Sequence, residues 1–230
     1  MAYVPIFLDV TGRRCVVVGG GEVAARKVRS LVEAGAEVTV VSPCAVEELR
    51  GLARAKSILI IERKYAPGDM KDAALVYAAT GDDDLNRCLH DEARRRGIPI
   101  NVADAPELCS FIAPSLVSRG SLKIAISTEG ASPAMARRIR ERLERLFGPE
   151  YGVTLEVLRA ARNHLKANEP DIRIRARKLT ALAATGIPEY LRKGDLDAVE
   201  EILRREIGIG LEAMGLLGIG EARQRRVSLR

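Results

Sequence analysis

The sequence predicts an α/β fold: a parallel sheet wound on both sides in the first half, then a mainly helical second half. In the first half, short apolar runs such as Arg14–Val18 alternate with segments of helical spacing. Strands that are apolar throughout are typical of a parallel sheet covered on both faces. Right-handed crossovers between such strands place helices on both sides. After about Phe111 the strand signals become sparse, and from Gly152 onward only helical signals are present.

The predicted elements have recognisable ends. The first strand stops at Gly19, and the next helix runs from about Glu22 to Ala34, where Gly35 suits a helix end. Ser132-Pro133 is typical of the N-cap and first position of a later helix. Residues 208–220 are apolar and glycine-rich and give no clear prediction. The other predicted elements are strands at 37–41, 57–61, 75–79, 98–102 and 122–127, and helices at 46–55, 84–96, 153–167, 171–185 and 195–206.

Composition places the chain among folded globular proteins. Of its 230 residues, 47% are hydrophobic and 30% charged, which excludes disorder as the main state. Aromatic residues are 3% and Trp is absent, so base stacking on exposed aromatic rings is disfavoured as a mode of nucleic-acid binding. The length is that of one or two domains.

Cysteine spacing and apolar runs bear on metal sites and location. The four cysteines show no Cys-x-x-Cys spacing, which gives a structural zinc site little support. Cys15 lies in an apolar run and is expected to be buried. The N-terminal residues lack the features of a signal peptide, and no apolar run approaches the ~20 residues of a membrane helix. We therefore expect a cytoplasmic protein.

The positive charge is concentrated in the second half of the chain. Residues 116–230 carry 22 Lys and Arg against 15 Asp and Glu, whereas residues 1–115 carry 15 against 16. Such an excess favours a polyanionic partner: nucleic acid, anionic lipid or a polycarboxylated small molecule. A set of solvated, Arg-rich helix faces explains the same counts equally well.

A glycine turn follows the first strand. Gly19-Gly20-Gly21-Glu22-Val23-Ala24 fits the pattern GxGxxG/A between a buried strand and a helix. Gly19 permits a tight turn, Gly21 lets backbone approach a pyrophosphate, and Ala24 permits close packing of helix and strand. The helix N-terminus then presents free N–H groups to the phosphates. A bare strand-to-helix turn remains the alternative. The pattern favours a Rossmann-like dinucleotide-binding domain over residues 1–113.

The end of the second strand bears on which dinucleotide binds. An NAD site usually has Asp or Glu there to hold the ribose hydroxyls, but this strand ends Val41-Ser42-Pro43-Cys44. Ser42 can bond a hydroxyl without rejecting NADP, and no Arg stands there to bind an extra phosphate. NAD is therefore preferred only slightly. Thr80 and Asn101 are also assigned to the cofactor site, because both belong to the carboxyl edge of the sheet, where ligands bind.

Asp104 is the candidate catalytic residue. It follows the fifth strand in Asn101-Val102-Ala103-Asp104-Ala105-Pro106, where a carboxylate can accept a proton while hydride leaves to a cofactor. A turn-forming Asp ahead of Pro106 is the alternative, which the pattern alone favours. His90 and His164 belong to no evident triad or ligand cluster. The run Asp82-Asp83-Asp84 is expected to begin a helix rather than to bind a metal, and no metal site is assigned.

Several ordered motifs together resemble one family. In residues 3–146 the chain is similar, in register, to the dehydrogenase/ferrochelatase modules of siroheme synthases, and the similarity fades over the helical remainder. The matching residues are Pro5-Ile6-Phe7, Val17 to Ala24, Arg26-Lys27, Ala79-Thr80, Asn101 to Pro106, Ser110-Phe111-Ile112, Pro114-Ser115, Ser132-Pro133 and Ala136-Arg137.

The resemblance implies a precorrin-2 dehydrogenase that uses NAD and yields sirohydrochlorin. A subset of the family also inserts ferrous iron, as a substrate, to give siroheme. It implies that Asp104 serves catalysis, that Glu22 and Val23 contact NAD at the glycine turn, and that Pro43 and Cys44 do so after the second strand. The sequence stops where fused members continue into a methyltransferase, which implies a standalone module.

The resemblance also implies an organisation and a partner. Family members are homodimers, so residues 114–147 are expected to form a small α+β dimerisation region and residues 148–230 a helical domain beside a tetrapyrrole cleft. In some members a serine stands at the position of Thr128, and many have Gly where this chain has Glu129. The polycarboxylated substrate accounts for the positive charge without nucleic acid or membrane.

Two other functions stay open on the residues alone. One is a regulator that senses NAD(H) with its first half and binds nucleic acid with its basic helices, although no helix-turn-helix is evident. The other is a tetrapyrrole carrier or chelatase without dehydrogenase activity.

Overall fold

A computed structural model of the protein describes residues 3–216. The chain forms two compact units that divide between residues 113 and 114. The first unit is built on a five-stranded parallel sheet with the order β3-β2-β1-β4-β5, which confirms the predicted fold class. Its strands are β1 (Arg14–Val18), β2 (Glu37–Val41), β3 (Ile58–Ile61), β4 (Leu75–Ala78) and β5 (Ile100–Val102). Its helices are α1 (Glu22–Glu33), α2 (Glu47–Arg54) and α3 (Asp83–Arg96).

The central strand separates two apolar layers. Cys15 and Val17 of β1 point into a core shared with α1 and α2, whereas Val16 and Val18 point into a core shared with α3. This alternation is what a strand buried on both faces requires. Cys15 is fully buried, as predicted. The sheet therefore carries helices on both sides, in the doubly wound arrangement.

The order of the strands changes direction between β1 and β4. From β1 the chain runs outward through β2 to β3, and then returns to the other side of β1 to form β4 and β5. The connection that leaves the carboxyl end of β1 therefore runs to one side of the sheet, and the connection that leaves β4 runs to the other side. Open α/β sheets bind ligands in the crevice at this switch point.

Helix α3 begins and ends as its sequence predicts. The Asp82 side chain accepts a hydrogen bond from the Leu85 amide at 3.0 Å and so caps the helix. Gly97 ends it in the left-handed conformation, with φ of 67°. The acidic run thus marks a helix start, as expected.

The second unit joins a two-stranded antiparallel hairpin to a group of helices. Ser132 caps α4 by accepting a hydrogen bond from the Met135 amide, with Pro133 in the first turn, as predicted. The unit comprises β6 (Ser115–Arg119), β7 (Leu122–Ile126), α4 (Pro133–Leu146), α5 (Glu150–Asn168), α6 (Ile172–Ala183), α7 (Ile187–Lys193) and α8 (Leu196–Ile207). Its core contains Val157, Ala161, Leu165, Leu182, Leu191, Val199 and Leu203. The finer division at residue 147 remains a prediction.

Two elements of this unit were not predicted. Strand β6 escaped notice because only Val117 among its five residues is buried, so no alternation marks it. Helix α7 begins at Ile187, inside a segment whose Gly and Pro suggested a break; Pro188 is tolerated because it lies in the first turn. Of the glycine-rich residues 208–220, those up to 216 end in a short 3₁₀ turn, Glu212–Met214, and the rest lie outside the described residues.

Within residues 3–216, no helix combines the length and the apolarity that a membrane span needs.

Candidate nucleotide-binding and catalytic site

The candidate residues converge on the carboxyl edge of the sheet in the first unit. The glycine turn follows β1, and the loop that begins with Ser42 follows β2. Thr80 follows β4, and Asp104 follows β5. Because all five strands are parallel, these segments meet at one edge. The site thus lies at the switch point described above.

Gly19 and Gly20 are glycines because neighbouring backbone leaves no room for a side chain. Gly19 has φ of 116°, and a Cβ there would overlap the carbonyl oxygen of Ala79 beyond β4. A Cβ on Gly20 would overlap the carbonyl oxygen of Cys44 in the loop after β2. The turn is therefore packed between the ends of two neighbouring strands, and the amide of Gly19 also donates to Val41 at 3.0 Å.

Gly21 differs from the two glycines before it. A Cβ on Gly21 would meet no described atom within 4 Å, so the space beside it is open. Gly21 is the N-cap of α1, and no side chain caps that helix end. Glu22 is exposed, Val23 is half-buried, and Ala24 is fully buried against the sheet. An uncapped helix N-terminus beside open space fits a dinucleotide pyrophosphate.

The loop after β2 is held by Ser42 rather than by its exposed residues. Ser42 is 5% exposed, and its hydroxyl donates to the carbonyl oxygen of Cys44 at 2.7 Å. The hydroxyl hydrogen is thus already used, so Ser42 can only accept from a ribose hydroxyl. Pro43 and Cys44 are exposed at the tip of the loop. Arg50 of α2, which sequence reasoning missed, donates through Nε to Ala45 at 3.2 Å and so brings a guanidinium to this loop.

Thr80 builds the start of α3. Its hydroxyl donates to Oδ1 of Asn86 at 2.7 Å and accepts from the Asp82 amide at 3.3 Å. Asn86 is buried and returns a bond from Nδ2 to the Thr80 carbonyl at 3.3 Å. The Thr80 side chain is therefore engaged within the fold, while its backbone stands beside Gly19.

Asn101 is engaged in a similar way. Its Nδ2 donates to the carbonyl oxygen of Phe111 at 3.0 Å and approaches Sγ of Cys109 at 3.5 Å. The side chain of Asn101 thus ties the segment after the fifth strand back to the sheet. These bonds support the site from within the fold, and a direct contact of Asn101 with the cofactor remains a prediction.

The structure places Asp104 in a turn and leaves its side chain exposed, and its catalytic role remains a prediction. It lies in a turn with φ of 61°, a conformation that Asp tolerates better than most residues. The preceding residue, Ala103, donates to Ala78 at 2.8 Å and so continues the pairing of β5 with β4. Asp104 is exposed, and no described group donates a hydrogen bond to its carboxylate. The carboxylate is available to accept a proton.

The histidines are positioned differently from each other. His90 of α3 is half-buried, and its Nδ1 donates to the carbonyl oxygen of Leu108 at 2.9 Å, which secures the short 3₁₀ turn Pro106–Leu108. The bond gives His90 a structural role, and its part in the chemistry is not tested by it. His164 contacts only Asn168 of its own helix among the described residues. Residues 3–216 contain no group of three or more side chains suited to hold a metal.

Sequence reasoning also missed a cation beside the site. The ammonium of Lys27 in α1 lies 4.9 Å from the ring centre of Tyr77 in β4. Burial, helped by the neighbouring Arg26, lowers the pKa of Lys27. Phe111 packs edge-on against Tyr77 at 5.4 Å. The contact has no sequence signal of its own, because it depends on how α1 lies over the sheet.

Two family models match the chain in adjacent stretches. Residues 6–115 match a model described as putative NAD(P)-binding. Residues 119–146 match the model of the sirohaem biosynthesis protein central domain. The first match covers the unit that carries the glycine turn and Asp104.

Curated relatives and a solved structure agree with these matches. A siroheme synthase of Thioalkalivibrio sulfidiphilus is 40% identical over 212 residues, which cover 92% of this chain and 43% of that protein. A siroheme synthase of Nitrosomonas europaea is 44% identical over 153 residues, which cover 66% of this chain and 32% of that protein. The chain thus spans less than half the length of these relatives. The structure of SirC, a precorrin-2 dehydrogenase, is 25% identical with a TM-score of 0.74, over 89% of this chain and 98% of that one.

Proposed function

The chain belongs to the family of siroheme synthase amino-terminal modules, and on that premise we propose that it oxidises precorrin-2 to sirohydrochlorin with NAD as the hydride acceptor. One observation carries the proposal. The glycine turn and the unpartnered carboxylate of Asp104 share the carboxyl edge of one sheet. A dinucleotide and a proton acceptor are the two groups that such an oxidation needs.

The oxidation removes one hydride and one proton from the substrate. NAD, when bound, supplies the acceptor for the hydride. The carboxylate of Asp104 accepts the proton, and its exposed position lets a large substrate approach. The turn keeps that carboxylate at the end of β5, and β4 alone separates β5 from the strand that leads into the glycine turn.

The proposed cofactor contacts follow from the local geometry. The backbone at Gly19, Gly21, Glu22 and Val23 faces the pyrophosphate, with Ala24 packed beneath. The exposed Pro43 and Cys44 contact the adenosine end, while Ser42 shapes their loop. Thr80 and Asn101 hold the segments beside the cofactor, and their own contacts with it remain part of the proposal.

The substrate is a polyanion, and the second unit offers a matching charge. Helix α6 carries four basic residues and no acidic one, and all four lie in its first two turns. Basic side chains attract a polycarboxylate over distances of about a Debye length. Their charge supports a tetrapyrrole substrate as part of the proposal.

The proposal includes a homodimer. Met135, Ile139 and Leu146 of α4 are 50%, 38% and 55% exposed, and such a run of apolar side chains on one helix favours burial against another chain. The unmodified protein should sediment as a dimer, and Ile139→Arg as a monomer. Leu59→Arg, at an exposed apolar residue of β3, is the control that should remain dimeric. A cytoplasmic location completes the proposal and is checked by cell fractionation.

The assignment of Asp104 is tested with Asp104→Ala and Asp104→Asn. Both variants should bind NAD within about twofold of the unmodified protein, because Asp104 makes no contact that holds the glycine turn. Loss of a positioned base should lower kcat for precorrin-2 oxidation about 10²–10⁴-fold. A folded, NAD-binding Asp104→Ala protein that retains half of the original rate would refute the assignment. Addition of ferrous iron to the product tests iron insertion separately.

A further inference from the structure

The outer edge of β5 is covered by side chains instead of by a sixth strand. Strand β5 lies at the end of the sheet, where backbone groups would otherwise face water. At Ile100, the Ser110 hydroxyl accepts from the amide at 2.8 Å, while the Ser110 amide donates to the carbonyl at 2.8 Å. At Val102, the amide donates to Sγ of Cys109 at 3.2 Å. Cys109 and Ser110 together therefore act as a clamp on this edge.

The clamp closes the turn that carries Asp104. The turn's own hydrogen bond, from the Ala105 amide to the Val102 carbonyl, is long at 3.5 Å. Sγ of Cys109 lies 3.3 Å from the Val102 carbonyl oxygen and 3.4 Å from that of Ala105, so the thiol can donate to either end of the turn. Without the sulfur, Ala103 would keep its bond to Ala78 at 2.8 Å, and the Ala105 carbonyl its bond from the Leu108 amide at 3.1 Å. Of the bonds described above, only the 3.5 Å bond would then close the turn around Asp104, which stands at φ of 61°. A non-glycine residue keeps such a conformation only where its surroundings enforce it.

The thiol is suited to this structural task. Burial raises the pKa of Cys109, so its proton stays in place as a donor at neutral pH. The same residue accepts from the Val102 amide, so it bonds both kinds of backbone group at once. Asn101 adds a further bond from the strand to Phe111, next to the clamp.

We propose that Cys109 is a positioning residue for the proton transfer: with Ser110 as a second anchor, it holds the turn that presents the Asp104 carboxylate. This inference rests on the proposed function for the role of Asp104, but the clamp itself is a property of the free protein. Cys109 touches neither the reacting atoms nor the glycine turn, so its loss should change kcat and leave NAD affinity unaltered.

The test compares Cys109→Ala with Cys109→Ser and with Cys88→Ala. Cys88 is an exposed thiol on α3, so its replacement makes the same chemical change away from the clamp. Amide hydrogen exchange of residues 102–105 is measured in the protein without substrate. Loss of a hydrogen bond should speed that exchange about fivefold or more in Cys109→Ala and leave it unchanged in Cys88→Ala.

Kinetics then separate positioning from general damage. Cys109→Ala should lower kcat for precorrin-2 oxidation about fivefold, with KM for NAD within twofold of the unmodified protein. Cys109→Ser keeps a donor and an acceptor on a shorter bond, so its exchange and kcat should fall between those of the alanine variant and the unmodified protein. In an Asp104→Asn background, Cys109→Ala should have no further effect on kcat, because its effect acts through the carboxylate.

Three results would overturn the inference. They are unchanged exchange at 102–105 in Cys109→Ala, a serine variant that behaves like alanine, and a parallel loss of kcat, NAD affinity and melting temperature. Failure of the unmodified protein to oxidise precorrin-2 would instead refute the proposed function. The exchange measurement would still decide whether Cys109 holds the turn, because it needs no substrate.

Discussion

Two adjacent glycines in the turn after β1 should lose different properties when one methyl group is added. A Cβ on Gly21 meets open space, and the backbone there, with φ of −87° and ψ of −174°, is accessible to alanine. A Cβ on Gly20 overlaps the backbone of Cys44. Gly21→Ala should therefore impair cofactor binding, whereas Gly20→Ala should impair folding.

The magnitudes follow from what each methyl group displaces. At Gly21 the methyl fills the space proposed for the pyrophosphate and prevents one charge-assisted hydrogen bond, a loss of about 1.5–3 kcal/mol. That loss corresponds to NAD binding weakened about 10- to 150-fold. Alanine is a poorer N-cap than glycine, which lowers the free energy of unfolding by about 1 kcal/mol at most. At Gly20 the overlap forces the loop after β2 to move, at a cost of about 1–3 kcal/mol or more.

The assay pairs calorimetric titration with NAD and thermal unfolding. Gly51→Ala, inside α2, is the control: it should raise stability by about 0.8–1 kcal/mol and leave NAD affinity unchanged. A folded Gly21→Ala protein that binds NAD as tightly as the unmodified protein would refute the placement of the pyrophosphate.

Two further predictions concern stability. Tyr65 donates to the buried Glu92 at 2.8 Å, so Tyr65→Phe should lower the free energy of unfolding by about 1.5–3 kcal/mol at neutral pH. Burial raises the pKa of Glu92, but bonds from Tyr65, Arg96 and Gly68 outweigh it, so the folded pKa lies below 4.5. The stability that Glu92 contributes is therefore fully present above the ordinary pKa of Glu and is lost as pH falls through the folded pKa. In urea unfolding, the difference in free energy of unfolding between the unmodified protein and Tyr65→Phe should become smaller in acid. Lys56 follows α2 with φ of 56°, so Lys56→Gly should raise the free energy of unfolding by about 0.5–1 kcal/mol, and an unchanged or lower value would contradict this.

The first unit could be predicted because its signals are local. The apolar run of β1, the glycines after it and the cap of α3 are each legible in a few consecutive residues, and the structure confirms all of them. Weakly patterned elements were missed. Strand β6 buries a single residue, and α7 contains the proline that suggested a break.

The roles of polar side chains could not be predicted in the same way. Ser42 and Asn101 were correctly placed at the carboxyl edge, but their hydrogen-bond partners are backbone groups that the tertiary fold brings to them. The sequence around Cys109 does not predict its role. The four hydrogen bonds of its sulfur form only because the chain returns to β5 in the folded protein. Residue type and position thus predict the location of the site better than they predict what each side chain does there.

The two functions that the sequence left open besides a dehydrogenase make different demands. A regulator needs a nucleic-acid surface, and a carrier needs no cofactor. Similarity to siroheme synthases and to the precorrin-2 dehydrogenase SirC favours oxidation, since it extends across the unit with the glycine turn.

Anaerobic incubation of the purified protein with precorrin-2 and NAD, without metal, is the decisive test of whether the protein oxidises precorrin-2. Visible and near-ultraviolet spectra follow sirohydrochlorin and NADH together. We expect both to appear, in equimolar amounts and only when protein is present. A folded protein that forms neither product, with NAD or with NADP, would contradict it.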